Sequence, residues 1–218
     1  MPGAVTVIAI DGPAGSGKST VAREVASRMG LPYLDTGAMY RAVAFEAIRR
    51  GIEPDERPTV AELARQLELD VGDQIMVNGA DATVEIRSPE VTRAVSAVAA
   101  NPEVRKEMVL RQREWVAEHG GGVVEGRDIG TVVFPAAPLK VYLTASEDER
   151  ATRRTKEMLD RDYDQVAADM ARRDRIDSTR ATSPLTVADD AVELDTTGLD
   201  AEQVVEQVMT LVSERLRS

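Results

Sequence analysis

The residues most suited to chemistry lie in the stretch IDGPAGSGKST, over residues 10–20. The stretch matches G-x-x-x-x-G-K-[ST] and follows an apolar run, which is the setting that a phosphate-binding loop requires. Glycines let backbone N–H groups close around phosphate oxygens, and the N-terminus of the following helix adds partial positive charge. Lys18 is predicted to reach the β and γ phosphates, and the Ser19 hydroxyl is predicted to bind Mg²⁺. The loop residues predicted to hold a nucleoside triphosphate are Gly12, Pro13, Ala14, Gly15, Ser16, Gly17, Lys18, Ser19 and Thr20.

A phosphate loop occurs in kinases, GTPases and ATPases, so other residues have to distinguish these classes. A GTPase normally carries an Asn-Lys-x-Asp guanine signature, and none of the four lysines follows an asparagine. A hydrolase that activates water needs a Gln or Glu that orients this water, after the second strand that ends near an acidic residue. This chain has Arg127 and Asp128 at that place. An arginine and a carboxylate at that position indicate that a substrate is held there.

The basic residues are unevenly divided, with 23 Arg against four Lys. A guanidinium group suits bidentate contacts with phosphate better than an ammonium group does. A bias in codon composition explains the overall ratio equally well, so the position of each arginine has to decide its function. A kinase whose acceptor is itself phosphorylated needs no strong general base. Its site must mainly hold two polyanions, the phosphates of the donor and of the acceptor, close together and offset their repulsion. Arginines are the residues best suited to that task.

Four motifs, GPAGSGKST, LDTGAMYR, EGRDIGTVVFP and RRDRIDSTRATSPL, occur in this order along the sequence. Together they resemble the bacterial cytidylate kinase family, and the resemblance covers essentially the whole chain. The family implies the reaction ATP + (d)CMP ⇌ ADP + (d)CDP with Mg²⁺, on a fold with CORE, NMP-binding and LID parts. The second motif departs from the family's frequent LDSG, because Thr36 replaces the serine. Thr36 keeps the hydroxyl, so a contact with phosphate is still expected.

The resemblance also implies which arginines bind the acceptor phosphate. Arg41, Arg127 and Arg180 would hold it, with Arg173 near both the phosphate and the sugar. A generic exposed arginine does not supply fixed bidentate binding, so these motif positions favour function over a solvated surface. Lys18, Arg127 and Arg180 are accordingly expected to take part in catalysis.

Selection of cytosine over uracil requires an acceptor for the exocyclic N4 amine, and a carboxylate such as that of Asp128 can supply one. Arg105 and Ser96 can donate hydrogen bonds toward the ring. In the family, positions matching these three residues contact the base, and those matching Arg173, Asp177 and Ser96 approach the pentose. From the sequence alone, Ser96 fits an ordinary serine on a helix surface equally well.

Arg150, Arg153 and Arg154 have spacings of three and four, which place them on one face of a predicted helix. One interpretation is a solvent-exposed face with ion pairs to Glu147 and Glu157. In a kinase whose polar helices close over ATP, the same face would meet the triphosphate and exclude water. We therefore expect at least one of Arg153 and Arg154 to contact ATP, and both are candidate catalytic residues.

The elements that position these residues follow from the spacing of apolar residues. AVTVIAID is predicted as a buried strand, and STVAREVASRMG as a helix that ends at Gly30. The alternation of strand and helix continues to Gly51 and favours a parallel sheet. The predicted fold class is α/β: a three-layer phosphate-loop fold with a central parallel five-stranded sheet flanked by helices. A small antiparallel-sheet insertion and a helical LID complete it.

Turn and capping patterns mark further boundaries. In QIMVNGADATVEI, the dipeptide Asn78-Gly79 separates two alternating stretches, which predicts a β-hairpin. The spacing of Ser146 with Glu149, and of Asp200 with Gln203, is that of a capping box at the start of a helix. These patterns predict a hairpin in the insertion and two helices in the second half of the chain.

We expect residues 1–218 to form one domain with three parts. The predicted parts are a CORE of residues 1–57, 102–146 and 181–218, an NMP-binding insertion of residues 58–101, and a LID of residues 147–180.

Composition excludes several functions. With no cysteine and a single histidine, His119, the chain offers no disulfide, no thiolate nucleophile and no histidine-based metal centre. A net charge of −11 argues against non-specific binding to nucleic acid. The first residues lack a basic signal region, and no apolar run approaches the roughly 20 residues of a membrane span. We expect a cytoplasmic monomer without a membrane or nucleic-acid partner.

Two other functions remain open from the sequence. The first is a kinase for another acceptor, such as UMP or shikimate, which the length of the insertion and the pair of Arg105 and Asp128 disfavour. The second is a catalytically silent nucleotide-binding protein, which the presence of Lys18, Ser19 and the motif arginines disfavours.

Overall fold

The computed structural model describes residues 6–157, 162–180 and 182–216. The strands are β1 (Thr6–Asp11), β2 (Tyr33–Asp35), β3 (Leu69–Val71), β4 (Ile75–Val77), β5 (Ala80–Asp81), β6 (Gly121–Gly126), β7 (Leu139–Thr144) and β8 (Val192–Asp195). The helices are α1 (Lys18–Met29), α2 (Thr36–Arg49), α3 (Arg57–Gln66), α4 (Pro89–Ala99), α5 (Pro102–His119), α6 (Glu147–Glu157), α7 (Tyr163–Thr179) and α8 (Ala201–Leu216). Within these residues, no helix has both the length and the apolar character needed to cross a bilayer.

Five strands form one sheet in the order β2-β6-β1-β7-β8. Strand β1 pairs in parallel with β6 and with β7, and β7 pairs in parallel with β8. The predicted five-stranded parallel sheet is therefore confirmed. In the register of β1 with β6, Asp11 lies opposite Gly126. The loops that follow these two strands therefore begin side by side, at the same edge of the sheet. Ligands of open α/β sheets bind at this edge.

The chain divides into two compact units, Met1–Tyr33 with Val116–Ser218, and Leu34–Trp115. In the first unit, Ile8 and Ile10 of β1 are fully buried, as expected for a strand covered on both faces by helices. Their core includes Val25 of α1 and Val208 of α8. These apolar contacts hold α1 against the sheet and so fix the loop that precedes it.

Helices α6 and α8 begin close to the predicted capping positions. The Glu149 N–H donates to Ser146 Oγ at 3.3 Å, in the first turn of α6. Asp200 and Gln203 exchange two hydrogen bonds before α8, with N···O distances of 2.9 and 3.0 Å. Both caps satisfy backbone N–H groups that a helix start otherwise leaves without a partner.

The second unit contains α2 to α4, α5 as far as Trp115, and a three-stranded antiparallel sheet in the order β3-β4-β5. The predicted hairpin is confirmed, with Asn78 and Gly79 at φ of 50° and 77° between β4 and β5. Glu46 of α2 is fully buried and accepts from Asn78 Nδ2 at 2.9 Å, which ties the helix to this turn. Residues 58–101 lie within this unit, and their assignment as an acceptor-binding insertion stays a prediction.

Candidate active site

The phosphate loop joins β1 to α1, as the motif requires. A Cβ atom on Gly12, whose φ is 148°, would lie 2.0 Å from the Leu143 carbonyl oxygen. A Cβ atom on Gly15, at φ 73°, would lie 2.8 Å from the Arg150 carbonyl oxygen. Both positions accept only glycine without a shift of the backbone, because other L-residues rarely adopt these φ values and their side chains would clash. The loop conformation therefore depends on close contacts with β7 and α6.

Lys18 is the first residue of α1 and is 6% exposed. Its Nζ donates to the Pro13 carbonyl at 2.6 Å and to Ser16 Oγ at 3.3 Å. Burial, and then the charge of Arg127, lower the pKa of Lys18 to about 7. The first turn of α1 contains no acidic residue that would offset the positive end of the helix dipole. A phosphate group at this place would stabilise both the ammonium group and the helix end.

Glu125 is a site residue that the sequence reasoning missed. It is buried at the end of β6, where its carboxylate accepts a hydrogen bond from Ser19 Oγ at 3.0 Å and another from the Tyr33 hydroxyl. The available signal was a charged residue inside the otherwise apolar strand GGVVEG.

The oxygen atoms of Ser19 and Glu125 fit Mg²⁺, a hard cation that prefers oxygen ligands. Among the described residues, no group of three or more His, Cys, Asp or Glu side chains is arranged to hold a metal ion by itself. This agrees with the way that Mg²⁺ usually binds, through one or two protein oxygens, phosphates and water molecules.

Asp11, at the end of β1, fixes the segment that follows β6. Its two carboxylate oxygens accept from the N–H groups of Ile129 and Gly130 at 2.8 and 2.7 Å. The segment Ile129–Val133 forms one π-helical turn, a conformation found often at functional sites. Burial raises the pKa of the Asp11 carboxyl to about 6. Asp11 was also missed from sequence, and through this contact it orients Asp128.

Five predicted acceptor-site residues converge in the first unit. Asp177 of α7 is 3.2 Å from Arg127 Nε, 3.9 Å from Arg173 Nε and 3.8 Å from Arg180 Nη1. We call these three arginines the arginine cluster. Arg180 Nη2 also lies 3.6 Å from Asp128. Burial, and then the charge of Arg127, lower the pKa of Arg173 to about 10. Three guanidinium groups around two carboxylates leave net positive charge, which suits a bound phosphate.

Arg153 and Arg154 differ in their surroundings. Arg153 donates to Glu149 at 2.9 Å, to Thr196 Oγ1 at 2.9 Å, and to the carbonyls of Thr196 at 2.7 Å and Leu199 at 3.2 Å. Its guanidinium therefore holds the loop between β8 and α8. Arg154 is close enough to the arginine cluster for its charge to lower the pKa of Arg173. Arg153 Nη1 also lies beside the phosphate loop, 3.8 Å from the place that a Cβ atom on Gly17 would take. The role of either arginine toward ATP stays a prediction.

Thr36 and Arg41 belong to the second unit, on α2. Thr36 is buried in the first turn of the helix, next to Asp35, whose carboxylate accepts from the Ala38 N–H at 3.0 Å. Arg41 is 8% exposed and donates to Thr92 Oγ1 at 2.9 Å. Arg41 Nη1 also donates to the Ile86 carbonyl at 3.3 Å, and its predicted contact with the acceptor phosphate stays a prediction.

Ser96 and Arg105 also belong to the second unit. Arg105 of α5 is 2% exposed, and its guanidinium lies over the ring of Tyr40 with 5.5 Å from Cζ to the centroid. This cation–π contact orients a buried donor group. Ser96 is half-buried on α4. Their predicted contacts with a base remain predictions.

Comparison with known proteins gives a consistent result. The family model described as cytidylate kinase matches residues 8–214. The cytidylate kinase of Geobacillus kaustophilus (strain HTA426) is 49% identical, over 96% of this chain and 97% of that protein. That of Mycobacterium leprae (strain Br4923) is 48% identical, over 96% of each chain. That of Desulfitobacterium hafniense (strain Y51) is 47% identical, over 97% of this chain and 94% of that protein.

Solved structures with low sequence identity share the fold. An uncharacterized protein from Eubacterium ventriosum superposes with a TM-score of 0.57 at 13% identity, over 96% of this chain and 99% of that chain. A gluconokinase from Sinorhizobium meliloti gives 0.50 at 15% identity, over 97% and 93%. At such identities the similarity shows the fold alone.

Proposed function

Because this chain belongs to the cytidylate kinase family, we propose that it transfers the γ-phosphoryl group of ATP to CMP or dCMP, giving ADP and CDP or dCDP. One observation carries the proposal: two members of the arginine cluster lie close to Lys18 of the phosphate loop. Arg127 and Arg173 are both close enough to Lys18 for their charges to lower its pKa. Such a concentration of positive charge is what two adjacent polyphosphate groups need.

On the donor side, backbone N–H groups of the phosphate loop and Lys18 bind the β and γ phosphates of ATP. Ser19, with Glu125 beside it, would hold Mg²⁺, which reduces the repulsion between the phosphates. At least one of Arg153 and Arg154 contacts the triphosphate from α6.

On the acceptor side, Arg41, Arg127 and Arg180 bind the monophosphate. Its oxygen is already anionic, so the chain needs to align it with the γ-phosphorus rather than remove a proton. Arg127 and Arg180 then stabilise the charge that develops during transfer. Arg173 and Asp177 approach the pentose, and Thr36 contributes its hydroxyl to the phosphate.

Recognition of the base depends on three residues. Asp128 accepts from the N4 amine of cytosine, and Arg105 and Ser96 donate to the ring. Uracil has a carbonyl where cytosine has this amine, so it would face the Asp128 carboxylate without a donor.

The test is a coupled assay that measures ADP release with CMP, dCMP, UMP, AMP and GMP as acceptors. We expect CMP and dCMP to give kcat/KM values at least about tenfold above the others, because the base-binding groups would lack partners with other bases. If CMP and dCMP gave no more ADP than UMP or AMP, the proposal would be wrong. Absence of ADP release with every acceptor would indicate the silent nucleotide-binding protein instead.

We further propose a cytoplasmic monomer in which residues 58–101 bind the acceptor and residues 147–180 close over ATP. The absence of cysteine suits a reducing compartment. Size-exclusion chromatography with light scattering tests the monomer, for which the expected mass is 23.6 kDa.

A further inference from the structure

An ion pair from two helices holds both backbone groups of Ala14 in the phosphate loop. The Ala14 N–H donates to Asp174 Oδ1 of α7 at 3.2 Å. The Ala14 carbonyl accepts from Arg150 Nη1 of α6 at 3.1 Å. Arg150 Nη1 also donates to Asp174 Oδ2. The three contacts form a closed ring around one residue of the loop.

The ring is largely shielded from water, since the side chains of Arg150 and Asp174 are 10% and 19% exposed. Arg150 Nε donates in addition to the Ala145 carbonyl at 3.1 Å, which fixes the guanidinium from the other side. The next loop residue packs equally closely, because a Cβ atom on Gly15 would lie 2.8 Å from both the Arg150 carbonyl oxygen and Met170 Cε. The loop therefore rests directly on α6 and α7.

Asp174 follows Arg173 and precedes Asp177 by one helical turn. Arg173 is part of the arginine cluster, and Asp177 is the carboxylate that contacts its three members. A helix moves nearly as a rigid body, so a contact at Asp174 sets the depth and rotation of its neighbours on α7. The contact with Ala14 thus fixes the position of Arg173 and Asp177 relative to the phosphate loop.

We propose that Asp174, held by Arg150, is a positioning residue for phosphoryl transfer. It holds α7 at a fixed position relative to the phosphate loop. The groups that bind the acceptor therefore face the donor phosphate. Asp174 itself uses both carboxylate oxygens on the protein and is not expected to touch substrate. This inference rests on the proposed function.

The test compares D174A with the parent enzyme at saturating ATP and CMP. We expect kcat to fall by about 10- to 100-fold, because a displacement of about 1 Å in the reacting groups has an effect of that size. The dissociation constant for MgATP, measured by calorimetry without acceptor, should change by less than about threefold, because the phosphate loop and Lys18 remain. Circular dichroism tests whether D174A is folded. The control variant is R172Q, a change at an exposed residue of the same helix, which should retain the kcat of the parent.

Two further variants keep the proposal falsifiable if D174A does not fold. D174N retains an oxygen for the Ala14 N–H and loses the charge that binds Arg150, so kcat should fall less than in D174A. R150Q should lower kcat as well. The double variant R150Q/D174N should lose about as much activity as the worse single variant, because residues in direct contact act as a unit and their effects do not add.

The possible results are distinguishable. A folded D174A enzyme with kcat within twofold of the parent, or a folded R150Q enzyme with such a kcat if D174A does not fold, would overturn the positioning role and leave the proposed function intact. Equal losses in R172Q would also overturn it, since any change on α7 would then have the same effect. A parent enzyme that transfers phosphate to no acceptor would overturn the proposed function and this inference with it.

Discussion

Two buried carboxylates, Asp11 and Glu125, lie at the ends of β1 and β6 and accept hydrogen bonds from protein groups. Asp11 holds the turn that carries Asp128, and Glu125 holds the hydroxyl of Ser19. Each carboxylate therefore orients a neighbour that is proposed to contact a ligand. At the scale of single residues, the site depends on these contacts as much as on the residues that meet a substrate.

Lys18→Ala should lower kcat by about 100-fold or more, because the variant loses preorganised positive charge at the transferring phosphate. The loss should appear in steady-state assays with saturating ATP and CMP. Lys106→Ala, at an exposed position on α5, is the matched control and should be nearly neutral. A kcat close to that of the parent would contradict the role given to Lys18.

Asp128→Ala should reduce turnover and the preference for CMP over UMP, and should leave the affinity for ATP almost unchanged. The reason is that the carboxylate is proposed to accept from the N4 amine, which UMP lacks. Measurement requires kcat/KM for both acceptors and the ATP dissociation constant. An equal loss of ATP binding would contradict a role at the base.

The raised pKa of the Asp11 carboxyl should be visible in the pH dependence of the protein's stability. Its pKa is raised from 3.8 to about 6 by burial and by the charge of Asp128, while the N–H groups of Ile129 and Gly130 and the charge of Lys18 oppose the rise. Between about pH 4 and 6 the folded protein thus binds more protons than the unfolded chain, so stability falls as the pH rises through this range.

The test compares the Tm of the parent with that of Asp11→Asn at pH 5 and pH 7. The parent should lose stability relative to the variant as the pH rises, because an amide does not ionise. A difference in Tm that stays constant between the two pH values would show that Asp11 titrates normally.

At the scale of elements, Glu46 connects α2 to the β4–β5 hairpin. Its carboxylate accepts from Arg49 Nε at 2.7 Å, Arg50 Nε at 2.6 Å and Asn78 Nδ2 at 2.9 Å. The hydrogen bond from Arg49 is the largest factor that lowers the pKa of Glu46. The Glu46 side chain is fully buried, whereas the side chains of Arg49 and Arg50 are half-exposed.

Glu46→Gln should lower the free energy of unfolding by about 1–3 kcal/mol at pH 7, the usual effect of weakening a buried charged hydrogen-bond group. Because the folded pKa of Glu46 is lowered, its stabilising contribution is present above the unfolded value of 4.5 and is lost as the pH falls through the folded pKa. Urea denaturation at pH 7 and pH 3.5 should show the difference shrinking in acid. Glu62→Gln on the exposed face of α3 should change stability little at either pH.

At the scale of the whole molecule, the proposed substrates should stabilise the folded chain. A ligand present at 100 times its dissociation constant adds about 2.7 kcal/mol to the free energy of unfolding. For a chain of this length, that corresponds to a rise in Tm of about 5–10 °C. CMP or dCMP should give such a rise at concentrations where AMP and GMP do not, as measured by differential scanning fluorimetry. Equal shifts with all four nucleotides would contradict selective binding of cytosine.

The sequence alone determined the features that depend on local pattern. The strand, glycine loop and helix around Lys18 follow from the order of residue types, and the hairpin follows from Asn78-Gly79. The same applies to the capping positions at Ser146 and Asp200. These elements form from contacts between residues close in the chain, so their signals are visible without a structure.

Only the tertiary structure decided which distant residues meet. Asp11 contacts Ile129 across 118 positions, Ser19 contacts Glu125 across 106, and Ala14 contacts Asp174 across 160. By residue type alone, every Asp and Glu in the chain is a candidate acceptor for these hydrogen bonds. The register of β1 with β6 and the packing of α7 on the phosphate loop determine which carboxylate accepts each of them. A hydrogen bond requires donor and acceptor within about 3 Å, and for residues so far apart in the chain that distance is set by the fold.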